Sequence, residues 1–72
     1  MSPKPTRVVN RIRELRAEHG VTQAGLAAEL GVTRQTVIAI EQGRYSPSLE
    51  MAFQIARHFA VPLETVFQYG AE

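Results

Sequence analysis

The sequence contains no cysteine, so neither a disulfide framework nor a thiolate metal site can support the fold. Its apolar runs are only a few residues long, far below the roughly 20 residues that a membrane-spanning helix needs. The opening stretch MSPKP also lacks the apolar core of a signal peptide. These absences predict a soluble, cytoplasmic protein that has no membrane partner.

Groups that carry enzymatic chemistry are equally scarce. His19 and His58 are far apart in the chain, no carboxylates stand in pairs at metal-ligand spacing, and no glycine-rich phosphate loop occurs. We interpret each histidine as a surface or half-buried helix residue. The sequence therefore predicts a protein that is not an enzyme and that uses no metal and no cofactor.

The chain is short. Its 72 residues are enough for one domain, residues 1–72, and a chain of this size buries only about 60% of the surface that its unfolded form exposes. Stability is then modest unless something adds to it, and with disulfides excluded the obvious addition is a second copy of the chain.

Charge is distributed unevenly along the chain, although its net value is only +1. Residues 1–16 carry one glutamate against five cations, which are Lys4, Arg7, Arg11, Arg13 and Arg16. Residues 45–72 carry one arginine against three glutamates. One end of the molecule can therefore face a polyanion, although ordinary solvated charge on a small domain is the alternative interpretation.

Glycine and proline divide the chain into segments of helical length. Thr22, Thr33 and Ser48 are good N-caps, and Gly20 and Gly31 are well placed to end helices. The predicted helices span residues 10–19, 23–30, 34–42, 49–59 and 63–67, which makes the fold all-α. The fourth helix has a broad apolar stripe, formed by Leu49, Ala52, Phe53, Ile55, Ala56 and Phe59.

The two ends of the chain are β-prone. Residues 6–9 and 66–69 are rich in β-branched and aromatic side chains, so they are able to pair as a small antiparallel ribbon. An isolated two-stranded ribbon is marginally stable, so this one would have to pack on the helices.

The second and third helices are joined by only three residues, which forces a sharp turn between two short helices. Ala27 is small where the helices must cross, and Gly31 stands at the turn. Val37 and Ile40 are branched apolar residues that fill the angle between the helices. Together these residues indicate a helix-turn-helix at about residues 22–43.

Residues 10–67 resemble the Cro/C1-type (Xre) family of phage and bacterial repressors. The resemblance rests on the strings TQ, LA, LGV, RQT, IE, GR and PSL, which follow one another at the family's spacing. It implies a five-helix, lambda-repressor-like bundle, and the β-prone ends are similar to short stand-alone members of the cytolysin-operon repressor type. It also implies a nucleoid-associated transcriptional regulator, a repressor, that binds a double-stranded DNA operator with two related half-sites as a homodimer.

The third helix, residues 34–42, is then expected to enter the major groove. With Val37 and Ile40 directed inward, a rotation of about 100° per residue places the expected base contacts on or near the opposite face. Arginine suits guanine, glutamine suits adenine, and apolar groups suit the thymine methyl. The predicted base contacts are Arg34, Gln35, Ile38 and Ala39.

Two alternatives stay open at this helix. Arg34 could pair with Glu41 or a phosphate, and Ile38 could be half buried as a packing residue. For the whole protein the alternative is an antitoxin-like or other protein-interaction module that uses the same fold.

Contacts to the sugar-phosphate backbone are expected around the helix-turn-helix. Gln23 begins the second helix, whose exposed N–H groups can bind a phosphate, although simple polarity at a helix start would also explain it. An N-terminal arm, residues 1–9, could add further contacts. The predicted backbone contacts are Gln23, Thr33, Thr36, Arg44, Tyr45, Ser46 and Arg11.

Family resemblance also implies an ion pair between Arg16 and Glu41, which we assign to architecture and not to DNA contact. The C-terminal segment, residues 62–72, is the expected dimerisation segment because a short tail cannot hide all of its apolar side chains. The predicted interface residues are Leu63, Val66, Phe67 and Tyr69. The alternative is that Val66 and Phe67 only close the bundle's own core.

Overall fold

The computed structural model describes residues 6–44 and 46–70. These ranges contain five helices and two short strands, which confirms the predicted five-helix bundle with a terminal ribbon. In chain order the elements are β1 Val8–Asn10, α1 Ile12–His19, α2 Gln23–Leu30, α3 Arg34–Glu41, α4 Leu49–Phe59, α5 Leu63–Val66 and β2 Phe67–Tyr69. No helix in the described ranges is both long and apolar enough to cross a membrane.

Three helices begin at the predicted hydroxyl caps. The side-chain oxygens of Thr22, Thr33 and Ser48 each accept a hydrogen bond from the backbone N–H three residues later, at 2.9, 3.2 and 3.1 Å. Such a bond satisfies one of the N–H groups that a helix start leaves unpaired. The cap at Thr33 explains why α3 is helical despite its β-branched content, since the strand propensity of a short segment is easily overridden.

The ends of three helices differ from the prediction. α1 begins at Ile12 and not at residue 10, because Asn10 pairs with Phe67 in the ribbon. α5 ends at Val66 for the same reason, and α3 ends at Glu41, one residue early. The ribbon therefore takes residues that helical periodicity had assigned to α1 and α5.

The ribbon joins the two ends of the described chain. β1 and β2 are antiparallel, with Val8 opposite Tyr69 and Asn10 opposite Phe67. The backbone N–H of Arg11 donates to the Val66 carbonyl at 2.9 Å, which continues the pairing into the start of α1. The predicted arm 1–9 is thus partly a strand, and its residues 1–5 lie outside the described ranges.

The core is formed by apolar side chains from every helix. Its buried members are Ile12, Leu15, Leu26, Ala27, Val37, Ile40, Ile55, Ala56, Phe59 and Val66. The apolar stripe of α4 is wider than the face that it buries, since Leu49 and Phe53 are 68% and 48% exposed. Val66, which was predicted in the dimer interface, is completely buried, and this favours the alternative that it closes the bundle's own core.

One ion pair links α1 to the end of α3, as the family resemblance implied. Arg16 donates from Nε to Glu41 Oε2 at 2.6 Å and from Nη2 to Oε1 at 3.3 Å. Its Nη1 donates to the Val21 carbonyl at 3.1 Å, and Gln23 Nε2 donates to Glu41 Oε1 at 3.2 Å. The two charged side chains are only 15% and 8% exposed, so each needs the other to replace the water that burial removes.

We expect Arg16→Met to lower the free energy of unfolding by about 3–5 kcal/mol, because it leaves the Glu41 carboxylate buried without its cation. Urea unfolding followed by circular dichroism measures this loss. Arg16→Lys, which keeps the charge but not the two parallel bonds, should lose less. Equal stability of wild type and Arg16→Met would show that solvent, and not Arg16, stabilises Glu41.

Ala60 ends α4 in a left-handed conformation, with φ 58° and ψ 43°. It is the one residue other than glycine with positive φ in the described ranges. Gly31 holds the same conformation at the end of α2, with φ 72° and ψ 31°. A side chain in this region costs roughly 1–2 kcal/mol, so Ala60 is a strained helix end.

We therefore expect Ala60→Gly to stabilise the protein by about 0.5–1 kcal/mol. The relief of strain exceeds the roughly 0.4–1 kcal/mol that the added freedom of glycine gives to the unfolded chain. Gly31→Ala is the matched control, since a Cβ there meets no atom within 4 Å and the cost is that of the backbone alone. Thermal unfolding should move up for Ala60→Gly and down for Gly31→Ala; a fall in both would contradict the prediction.

Candidate nucleic-acid interface

The turn between α2 and α3 has the geometry that the spacing predicted. The backbone N–H of Gly31 donates to the Ala28 carbonyl and that of Val32 to the Ala27 carbonyl, at 3.3 and 3.0 Å. These bonds close the end of α2, and the left-handed Gly31 reverses the chain toward the Thr33 cap. Ala27 is buried, and α2 packs closely against α3.

α3 has one buried face and one accessible face. Val37 and Ile40 are 1% and 2% exposed, which fixes how the helix is rotated in the bundle. Arg34 and Gln35 are exposed in the first turn. Ile38 and Ala39 are half buried, which fits an apolar surface beside a polar tip. The four predicted base-contact residues therefore lie on the accessible side of α3 or at its edge.

The alternative partner for Arg34 is occupied. Glu41 accepts from Arg16 and from Gln23, and Arg16 is its cationic partner in the described structure. Gln23 thus begins α2 and also braces the carboxylate at the end of α3. The Gln23 side-chain amide, which was predicted to contact a phosphate, therefore also makes a hydrogen bond within the protein.

Apart from Gln23, the predicted backbone-contact residues that the structure describes lie in three places. Thr33 and Thr36 lie together at the start of α3, with their hydroxyl oxygens 3.1 Å apart. Arg44 and Ser46 are exposed after α3, and the Ser46 hydroxyl lies 3.0 Å from that of Thr6. Tyr45 lies outside the described residues. Arg11, another predicted backbone contact, is exposed at the junction of the ribbon and α1.

An open groove of about 660 Å³ runs between α1, the start of α2 and α3. Its lining includes Arg34 and Ile38 from the predicted base contacts and Gln23 from the predicted backbone contacts. It also includes Arg13, an exposed residue that sequence reasoning did not assign. Arg13 precedes Arg16 by three residues, and this helical spacing could have placed both side chains on one side of α1.

The predicted dimerisation residues differ in how exposed they are. Leu63 and Phe67 are half buried against the core. Tyr69 is 75% exposed, and the Arg7 guanidinium lies 5.9 Å from the centre of its ring. Leu49 and Phe53, two members of the predicted apolar stripe of α4, are the other large apolar residues that are exposed in the described ranges.

Residues 12–66 match the model of the helix-turn-helix family, which covers most of the chain. An uncharacterized HTH-type transcriptional regulator of Methanocaldococcus jannaschii is 53% identical over 83% of this chain and 91% of its own. The cryptic phage CTXphi transcriptional repressor RstR of Vibrio cholerae is 37% identical over 75% of this chain and 49% of its own.

The similarity extends to solved structures. The crystal structure of the restriction-modification controller protein C.AhdI from Aeromonas hydrophila matches with a TM-score of 0.67 and 30% identity, over 75% of this chain and 78% of that one. The family consists of regulators and not of enzymes, as the sequence predicted. The chain belongs to the helix-turn-helix family of the Cro/C1 (Xre) type and is a DNA-binding transcriptional regulator.

Proposed function

We propose that the protein is a cytoplasmic repressor that binds a palindromic operator as a homodimer, with α3 in the major groove. The observation that carries this proposal is the tip of α3, where Arg34 and Gln35 are exposed on a helix fixed by buried Val37 and Ile40. An exposed arginine and glutamine on a rigid helix have the donors and acceptors that base edges require. RstR, a relative, is a repressor.

The charges that line the groove between α1, α2 and α3 also support the proposal that α3 faces the DNA. Arg16 is paired with Glu41, whereas Arg13 and Arg34 are exposed cations on the lining. A surface of this kind attracts the phosphate backbone and makes binding depend on salt. We assign Arg34 to base edges and Arg13 to a phosphate, because Arg13 lies on α1 and not on the helix that enters the major groove of the DNA.

Selection of bound duplexes from a random pool tests the proposal directly. The expected result is enrichment of one palindromic sequence, followed by a footprint on that sequence and affinity that falls as salt rises. Weak binding that is indifferent to sequence would contradict the proposal and favour the protein-interaction module.

Dimerisation is supported by the exposed apolar residues and by the size of the molecule. Leu49, Phe53 and Tyr69 are exposed, and the contact between Thr6 and Ser46 brings the Tyr69 end of the ribbon to the loop that enters α4. The molecule measures 33 × 24 × 22 Å, so two copies that touch at the ends of their long axes have centres close to the roughly 34 Å that separates successive half-sites. We therefore extend the predicted interface of Leu63, Phe67 and Tyr69 to the exposed apolar residues Leu49 and Phe53 of α4.

We expect Arg34→Ala to weaken operator binding by about 1–3 kcal/mol and to relax the preference at one base pair of each half-site. Arg13→Ala should weaken binding to all duplexes about equally and reduce the slope of log K against log salt by about 1 for each half-site contact. Fluorescence anisotropy at several salt concentrations separates the two effects. If Arg34→Ala loses affinity equally on every sequence, Arg34 contacts only a phosphate.

We expect the wild-type protein to sediment as a dimer at micromolar concentration and Phe53→Glu to sediment as a monomer, since a buried unpaired carboxylate opposes association. Phe53 is 48% exposed in one chain, so we expect the substitution to keep the fold, and circular dichroism checks this. Gln54→Glu, at an exposed neighbouring position, is the charge-matched control and should remain dimeric. A dimer that is unaffected by Phe53→Glu would remove this face from the interface.

A further inference from the structure

Asn10 contacts β2, the first turn of α1 and the last turn of α3 at once. Its backbone pairs with Phe67 in the ribbon. Its Nδ2 donates to the Ile40 carbonyl at 2.8 Å, and its Oδ1 accepts from the Ile12 N–H at 3.1 Å. The backbone of this one residue therefore belongs to the ribbon, and its side chain joins the start of α1 to the end of α3.

The orientation of this amide is fixed by its partners. A backbone N–H can only donate and a carbonyl can only accept, so a flipped amide would lose both bonds. The ribbon holds the Asn10 backbone, and the amide is half buried. The Asn10 side chain is consequently held in one orientation against the end of α3.

The end of α3 is where such a fixed contact has most effect. Ile40 is the last core residue of α3, and its carbonyl accepts from Asn10 and from the Gly43 N–H at 3.0 Å. A helix of eight residues is about 12 Å long, so a shift of one end changes the direction of the whole helix. A hydrogen-bonded binding site tolerates displacements of only about 0.5 Å.

We propose that Asn10 is a positioning residue for operator recognition, which sets the direction of α3 by holding the Ile40 carbonyl. The inference rests on the proposed function, because it concerns how α3 meets base edges. Asn10 contacts no DNA in this scheme; it acts through α3. Its loss should therefore reduce the preference for the operator over other sequences and not the general attraction to DNA.

Asn10→Asp isolates the contact. Aspartate keeps an acceptor for the Ile12 N–H but places an oxygen against the Ile40 carbonyl in place of the donor. The added negative charge weakens binding to every duplex alike, so the measured quantity is the ratio of the operator affinity to the affinity for a scrambled duplex. Gln54→Glu is the matched control, because it adds the same negative charge at an exposed position on α4 and is expected to remain dimeric.

The experiment measures that ratio by fluorescence anisotropy for wild type, Asn10→Asp, Asn10→Ala and Gln54→Glu, all checked for native circular dichroism. We expect both Asn10 variants to lose about tenfold or more of the ratio and Gln54→Glu to keep it within about twofold. A selective wild type with an unchanged ratio in Asn10→Asp would overturn this inference alone. A wild type without any sequence preference would overturn the proposed function and this inference together.

A measurement on the wild type covers the case in which the Asn10 variants do not fold. The NMR signals of the Asn10 side-chain amide should show contacts to Ile40 and should shift when operator is added, but not when the scrambled duplex is added. Signals that respond equally to both duplexes would reject the positioning role.

Discussion

The accessible side of α3 depends on the ion pair and the hydrogen bonds of the Glu41 carboxylate. It lies at the end of α3 and is held by Arg16 from α1 and by Gln23 from the first turn of α2. The Glu41 side chain is only 8% exposed, so its carboxylate needs such partners to replace its lost hydration. Its hydrogen bonds are complete only when α1, α2 and α3 are all correctly placed. The same requirement leaves the charge of Arg16 neutralised inside the molecule and the charges of Arg13 and Arg34 facing solvent.

Local signals predicted the part of the site that depends on neighbouring residues. The hydroxyl caps and Gly31 define α2 and α3 within a few residues, and the period of Val37 and Ile40 identifies the side of α3 that faces the core. Once that side is buried, the position of Arg34 and Gln35 follows from the geometry of a helix. This is why the candidate base contacts could be named before the fold was known.

The parts that the sequence did not predict depend on contacts between distant residues. Leu49 and Phe53 continue the apolar stripe of α4, and apolarity alone does not distinguish a residue of the core from one that remains exposed. Asn10 was assigned to a helix because nothing nearby shows that Phe67 would pair with it. Arg13 was passed over because the groove that it lines is formed by helices from different parts of the chain.

The ribbon has a consequence for how the protein folds. Nearly all of the described chain lies between β1 and β2, so their pairing closes the longest loop in the molecule and is entropically the most costly contact to form early. We therefore expect the helices to collapse first through local contacts and the strands to join as a late step. Asn10 reaches its fixed place only with that step, so the last part of the molecule to become native also completes the support of α3.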